Sequence, residues 1–318
     1  MKKSIPFLIL ALLIILATVL LIINSQHNTA GKNTIKYKMP LDIKPSSPKA
    51  PSRIVSLAPN ITEILYDLGL KEKIIAVSSD SNFPLRTKEK EKVGTFWQPN
   101  TETIISLEPD LVITLSFQQQ KQVADTLTRL GYNILTVKIE TIDDLYNAIE
   151  QIGEAAGRRQ TADKSVSRIK NRIKIIEAKL QNFPKPRVIW SVQDEPLRVA
   201  GAESFLNSLI EHAGGINVIG PTLAQYPQIS SEQVITARPD VILQSAMGVE
   251  KLDAQLQNAR SFWRRWPNLP AVAHDRIYVI DSDLTLRLSP RLPEAIINIA
   301  NCLHPQINLQ NNNKTITE

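Results

Sequence analysis

Two segments of this chain carry the same residue types in the same order, and they limit the possible folds more than any other feature. Each begins with a polar residue at a predicted helix start, Asn100 or Ser230, with a glutamate two positions later. Each then runs through apolar residues to a Pro-Asp pair and a second apolar run. Proline ends a helix, and a continuous apolar run suits a strand buried in a parallel sheet. The repeat predicts two similarly built lobes.

The first predicted strands of the two lobes also match, since Arg53–Ser56 resembles Arg187–Trp190. In the first lobe, predicted strands alternate with predicted helices. A helix with a capping box at Asn60–Glu63 ends at Gly69, and another helix lies near Thr101–Leu107. Strands are predicted at Arg53–Leu57, Ile74–Val77, Asp110–Leu115 and Ile134–Lys138. This alternation favours parallel sheets, so the predicted fold class is α/β with two Rossmann-like lobes.

One long amphipathic helix is predicted between the lobes, over residues 161–183. Its apolar residues recur every three or four positions, and basic residues fill much of the remainder. Pro184 and Pro186 end it. A helix for a coiled-coil partner is the alternative interpretation. A rigid connector between two lobes leaves a cleft between them, which is the usual place for a ligand. The predicted soluble parts are a lobe at 53–160, the helix at 161–183, a lobe at 184–304 and a polar tail at 305–318.

The N-terminus predicts export. Lys2 and Lys3 precede an apolar run, Ile5–Ile23, that is long enough to span a bilayer and whose basic flank is cytoplasmic. The run is long for a cleaved signal peptide and no small-x-small cleavage site follows it, so we expect residues 1–24 to be an uncleaved transmembrane anchor. Residues 25–52 are polar and contain prolines, as in an extended tether. The expected location is the periplasmic or extracytoplasmic face of a bacterial cytoplasmic membrane.

Charge and composition exclude several classes of function. The formal net charge of +6 is spread along the chain, so nucleic-acid binding is not expected. The single cysteine, Cys302, cannot form a disulfide framework, and no two histidines have the spacing of metal ligands. The glycine-rich and nucleophile motifs of common enzymes are missing. We therefore expect no metal, no cofactor and no catalytic residue. A membrane-anchored enzyme using Asp80 and Asp283 in the cleft is the alternative from another class, and an adhesion or scaffold protein is a third.

Several segments together resemble a known family. They are Arg53–Gly69, Val77–Asp80 with Phe83 and Pro84, Glu102–Ile113, Gly201–Gly215, Ile229–Val234, Trp266–Val272 and Ser282–Arg291. Their order along Arg53–Leu303 resembles the helical-backbone binding proteins, which capture cobalamin, haem and ferric siderophores for ABC importers. The resemblance is strongest for the cobalamin-binding branch. It implies a corrinoid ligand, with haem or a siderophore chelate as the alternative, and an ABC permease and ATPase as partners.

The resemblance implies roles for two glutamates. Glu102 and Glu232 occupy the positions at which that branch docks onto arginines of the permease. Exposed carboxylates at matching places in two lobes can orient a partner of complementary charge. The alternative is that each one only stabilises the positive end of its helix.

The same resemblance implies a ligand pocket. Phe96, with Trp97 after it, and Tyr226 correspond to pocket aromatics, and Asp283 with Arg287 corresponds to a polar pair that holds the ligand. Asp80 replaces an expected tyrosine and Leu115 an expected tryptophan, so the predicted pocket is more polar than in the cobalamin binders. The alternative for the aromatic rings is core packing, which we expect for Trp190, Trp263 and Trp266. The alternative for Arg287 is a structural ion pair with Asp283.

Overall fold

The computed structural model describes residues 50–246, 251–307 and 309. The predicted anchor at Ile5–Ile23 and nearly all of the tether lie outside these residues. From Ala50 onward the chain forms one compact unit. No helix among the described residues combines the length and the apolar character that a bilayer-spanning segment needs.

The first lobe is built on a sheet of five parallel strands in the order β3-β2-β1-β4-β5. The strands are β1 (Ile54–Ser56), β2 (Ile74–Val77), β3 (Glu91–Lys92), β4 (Leu111–Leu115) and β5 (Ile134–Val137). The helices are α1 (Pro59–Asp67), α2 (Thr101–Ser106), α3 (Gln118–Arg129) and α4 (Ile142–Ala155), with 3-10 turns at Lys71–Lys73 and Leu85–Glu89. The predicted α/β alternation is confirmed for this lobe.

The second lobe repeats this plan. Its sheet has the strand order β10-β9-β6-β7, and β8 also pairs with β6. The strands are β6 (Arg187–Gln193), β7 (Arg198–Val199), β8 (Ile216–Asn217), β9 (Val241–Ser245) and β10 (Ile277–Ile280). All pairings are parallel except that of β7 with β6. The helices of the chain after α4 are α5 (Arg159–Leu180), α6 (Phe205–His212), α7 (Ser231–Ala237), α8 (Leu252–Trp263), α9 (Pro270–Ala273), α10 (Ser282–Thr285) and α11 (Leu292–Leu303).

The long connecting helix, α5, joins the cores of both lobes. It begins two residues earlier and ends three residues earlier than the predicted 161–183. The predicted apolar stripe is buried, including Ile169, Ile173 and Ile176. These side chains belong to one cluster of buried residues that also contains Ile54 of the first lobe and Val188 of the second. The helix therefore joins the two lobes through one continuous core.

The repeated residues fix the start of the first strand in each lobe. The Asp110 carboxylate accepts hydrogen bonds from the backbone N–H groups of Ser52 and Arg53 at 2.7 and 2.9 Å. In the second lobe, Asp240 accepts from the Arg187 N–H at 2.9 Å. The two arginine side chains, Arg53 and Arg187, also match, since each donates to a carbonyl at the end of the helix that comes just before the Pro-Asp pair. The Pro-Asp pairs are thus structural.

The predicted capping box at Asn60–Glu63 is wrong. Helix α1 begins earlier, at Pro59, and the residue before it, Ala58, has no side chain that could cap it. Glu63 lies inside the helix, where it is buried and forms a two-pronged ion pair with Arg291 at 2.7 and 2.8 Å. A buried carboxylate is stable only with such a partner, and this one comes from the other lobe.

Candidate functional site

The carboxyl ends of the parallel strands in the two sheets face each other across the interlobe cleft. In the first lobe, Asp80 and Phe96 lie in the loops that follow β2 and β3. In the second lobe, Asp283 follows β10, and Arg287 lies one turn further along the chain. Ligands of open α/β sheets bind in the crevice outside the carboxyl ends of the strands. The cleft is therefore the candidate ligand site.

A polar bridge crosses this cleft. The Asn82 side-chain amide donates to the Asp283 carboxylate at 2.5 Å and accepts from Arg287 at 2.6 Å. Arg287 also forms the expected ion pair with Asp283 at 2.6 Å and reaches the Asp80 carbonyl oxygen at 3.4 Å. The sequence-predicted pair thus lies at the cleft. Its bridging partner, Asn82, carries no recognisable motif and was missed.

Three aromatic rings form a wall on the first-lobe side, which we call the aromatic wall: Phe96, Trp97 and Phe117. The Trp97 ring lies 4.7 Å from that of Phe96 and 5.3 Å from that of Phe117, centroid to centroid. Trp97 is 52% exposed, which is high for a tryptophan outside an interface. Phe96 and Trp97 were predicted. Phe117 was missed, although an aromatic two residues after a predicted strand was the available signal.

The backbone of Phe96 is held on both sides. Its N–H donates to the Asp80 carboxylate at 2.6 Å, and its carbonyl accepts from the Gln120 amide at 2.9 Å. Gln120 is fully buried and also bonds the Leu57 carbonyl and the Leu115 N–H, at 2.8 and 2.7 Å. Asp80 therefore positions the aromatic wall, because one oxygen of its carboxylate is bound to the Phe96 backbone. Gln120 was missed, since a glutamine in the polar first turn of α3 looks like an exposed residue.

Tyr226 lies on the second-lobe side, beside β7. It is half-buried against the core, and this burial raises the pKa of its phenol. Its carbonyl accepts from Arg198 of β7 at 3.2 Å. Among the described residues, no ring contact joins Tyr226 to the aromatic wall. The predicted ring pair on opposite walls therefore stays a prediction. Trp190 and Trp263 are fully buried, as expected for core residues, and Trp266 packs against the same cluster as Trp263 but is only half-buried.

The two predicted docking glutamates are exposed and lie in matching places. Glu102 follows the cap of α2, Asn100, and Glu232 follows the cap of α7, Ser230. Each helix runs back to the amino end of the strand after it, so each glutamate lies on the carboxyl-end side of its sheet, as the cleft does. Hydrogen bonds from Ser230 and from its own N–H lower the pKa of Glu232. The Glu232 carboxylate thus interacts with the start of its own helix, and it is still exposed to a partner.

The cavities differ in their position relative to the cleft. A cavity of about 490 Å³, lined by His304, Asp240 and Arg276 among others, lies at the amino ends of β6 and β9. A pocket of about 310 Å³ lies at the carboxyl ends of the same strands and includes Asp194 and Ser245. Within the described part of the chain, no group of three metal-ligating side chains comes together.

Comparisons with known proteins agree with this geometry. A family model described as periplasmic binding protein matches residues 54–284. The chain is 32% identical over 253 residues to a vitamin B12-binding protein of Vibrio parahaemolyticus, covering 79% of this chain and 88% of the relative. It is also 32% identical over 269 residues to an uncharacterised ABC transporter substrate-binding lipoprotein of Bacillus subtilis, covering 81% of each. The periplasmic vitamin B12-binding protein of Vibrio cholerae has a similar structure, with a TM-score of 0.68 and 27% identity over 80% of this chain and 98% of that one.

Proposed function

Because this chain belongs to the periplasmic binding protein family, we propose that it captures a cobalamin-like corrinoid outside the cytoplasm and delivers it to the permease of an ABC importer. It is a substrate-binding protein and not an enzyme. The carboxylates of the enzyme alternative are engaged elsewhere: Asp80 holds a backbone N–H and Asp283 is bound by Asn82 and Arg287.

The geometry of the aromatic wall is the observation that best supports a planar macrocycle as the ligand. An exposed indole backed by two rings offers a broad, flat and rigid surface, which suits the face of a planar macrocycle. Rigid rings lose little conformational entropy on binding, so their contact area contributes to affinity. Asp283 and Arg287 meet polar groups at the edge of the macrocycle, through charge-assisted hydrogen bonds. Tyr226 covers the opposite side.

Alanine substitutions test the ligand assignment. The purified full-length chain is titrated with cyanocobalamin, cobinamide and haem, by absorbance and by calorimetry. Phe96→Ala and Tyr226→Ala each lose about 1–3 kcal/mol of binding free energy, or roughly 5- to 150-fold in affinity. Leu130→Ala is the matched control, since Leu130 is exposed at the far end of α3. If the wild-type chain binds none of these macrocycles at high micromolar concentration, the proposal is wrong.

Permease docking is proposed through Glu102 and Glu232. Both carboxylates are exposed on the cleft side of the molecule, where a released ligand must leave toward the permease. Glu102→Lys and Glu232→Lys reduce pull-down of the permease while ligand affinity is unchanged, because like charges then face each other. Glu72→Lys is the control, since Glu72 is exposed at the amino end of β2. Equal pull-down by all three variants contradicts docking at these sites.

Membrane attachment is proposed through Ile5–Ile23. Support comes from the length and apolar character of this run and from its basic flank. An anchored binding protein stays close to its importer, which raises its effective concentration there.

A further inference from the structure

The pocket of about 310 Å³ in the second lobe has a distinctive lining. Its polar lining residues are Gln193, Asp194, Gln244, Ser245, Gln255 and Asn258. Gln193 is the last residue of β6 and Asp194 follows it. The next two residues end β9, and the last two come from α8. Among the described residues, the lining combines one carboxylate with side-chain amides and a hydroxyl, and none of its side chains is cationic.

The strand order places this pocket in the middle of the second-lobe wall. Along the sheet β10-β9-β6-β7, Asp283 follows β10, whereas Tyr226 lies beside β7. The pocket opens at the ends of β9 and β6, which lie between them. Neighbouring strands are about 4.8 Å apart, so β10 and β7 are separated by on the order of 14 Å. A macrocycle that reaches from Tyr226 to Asp283 must extend over the pocket, and its peripheral side chains can enter it.

The Asp194 carboxylate is fixed as a hydrogen-bond acceptor. It accepts from Gln244 at 3.0 Å and from the Ser191 hydroxyl at 3.3 Å. Gln244 is itself oriented, because its carbonyl accepts from the Trp263 indole at 3.2 Å. Asp194 is half-buried, and this burial raises its pKa. Bringing a second carboxylate into such a site is costly, whereas a neutral amide N–H is a suitable donor.

We propose that this pocket is a subsite for the neutral carboxamide side chains at the edge of a corrin ring, and that Asp194 makes it exclude ligands with carboxylate side chains. The inference rests on the proposed function and adds a reason for corrinoid over haem. Corrinoids carry primary carboxamides around the ring, whereas haem carries two propionates. The Asp194 carboxylate can accept from the N–H groups of the ligand carboxamides, and the amide side chains around it keep the lining polar without adding charge.

Two corrinoids that share a ring but differ in side chains test the subsite. Dicyanocobinamide carries carboxamides and dicyanocobyrinic acid carries carboxylates at the corresponding positions. Wild-type full-length chain binds the first at least 100-fold more tightly. Asp194→Asn, which keeps the shape and removes the charge, reduces that ratio at least tenfold by strengthening the carboxylate ligand. Glu195→Gln is the matched control, because the Glu195 carboxylate is next to Asp194 in the chain but is 78% exposed and does not line the pocket. In this variant the affinity ratio stays unchanged.

The possible outcomes separate the two proposals. Binding of cobinamide with the same ratio in wild type and Asp194→Asn overturns the subsite and leaves the proposed function standing. Binding of neither corrinoid by a wild-type chain that melts cooperatively overturns both. Tighter binding of haem than of cobinamide by the wild type also overturns the subsite. Thermal melting of each variant shows that the ratios compare folded proteins.

Discussion

Replacing Gln120 with methionine removes a side chain that joins the end of β1, the end of β4 and the Phe96 loop behind the aromatic wall. The Gln120 amide is fully buried. It donates to the carbonyls of Leu57 and Phe96 and accepts from the Leu115 N–H, at 2.7 to 2.9 Å. Methionine has nearly the same length and fills the same space, but it offers no strong donor or acceptor for these groups.

The expected loss of stability follows from the number of groups left without partners. Three backbone groups, buried or half-buried, lose a hydrogen bond, and each unsatisfied group costs about 1–3 kcal/mol. The Thr114 hydroxyl also loses Gln120 as an acceptor but still reaches the Leu115 carbonyl at 3.4 Å. The free energy of unfolding falls by about 3–6 kcal/mol. The upper value is below three times the largest single cost because the loop can relax and let water bind some of these groups. At roughly 2–4 °C per kcal/mol for a domain of this size, the melting temperature falls by roughly 10 °C.

Gln120→Glu separates the hydrogen-bond argument from simple packing. One carboxylate oxygen faces two carbonyl oxygens, so the pKa of the introduced Glu is raised in the folded state. This variant is therefore most stable below the unfolded pKa of about 4.3 and loses stability as the pH rises above it. Gln120→Met shows no such extra dependence on pH.

Urea unfolding and iodide quenching measure the two consequences. Trp97 is the most exposed tryptophan, Trp266 is half-buried, and Trp190 and Trp263 are buried, so a difference in quenching between these variants reports mainly on the aromatic wall. A change in quenching and weaker ligand binding are expected in Gln120→Met. Gln119→Met is the control, because Gln119 lies next in the same helix and is exposed. If Gln120→Met unfolds at the same urea concentration as the wild type, the buried amide does not satisfy these groups and the reasoning fails.

Three further predictions concern the lobe contacts, the pH response and the membrane. Arg291→Met leaves the buried Glu63 carboxylate unpaired and lowers the free energy of unfolding by about 3–5 kcal/mol, whereas the double change to methionine recovers most of it in urea melts. Burial lowers the pKa of His304, so the wild type loses stability as the pH falls below about 6.5, and His304→Gln loses less over the same range. Parallel plots of unfolding free energy against pH for the two proteins contradict this. The full-length chain sediments with membranes and keeps Ile5–Ile23, and a soluble product starting after this run refutes the anchor.

Local patterns in the sequence determined the scaffold. The paired Arg and Pro-Asp positions predicted two matching lobes, and in each lobe the aspartate holds the first strand. The apolar period of α5 predicted a buried stripe, which the core confirms. These features were readable because periodicity and helix ends depend on neighbours a few residues away, which the sequence shows directly.

The tertiary structure alone decided how the cleft is held and lined. Glu63 looked like part of a helix cap but pairs with Arg291 of the other lobe, and Gln120 looked exposed but is buried. Phe117 completes the aromatic wall although the resemblance pointed to Leu115. Each of these roles depends on residues brought together from distant parts of the chain. Whether a polar side chain caps a helix, faces water or is buried with hydrogen bonds is set by its partners and its exposure. Both exist only once distant segments have packed together, within the first lobe for Gln120 and between the lobes for Glu63.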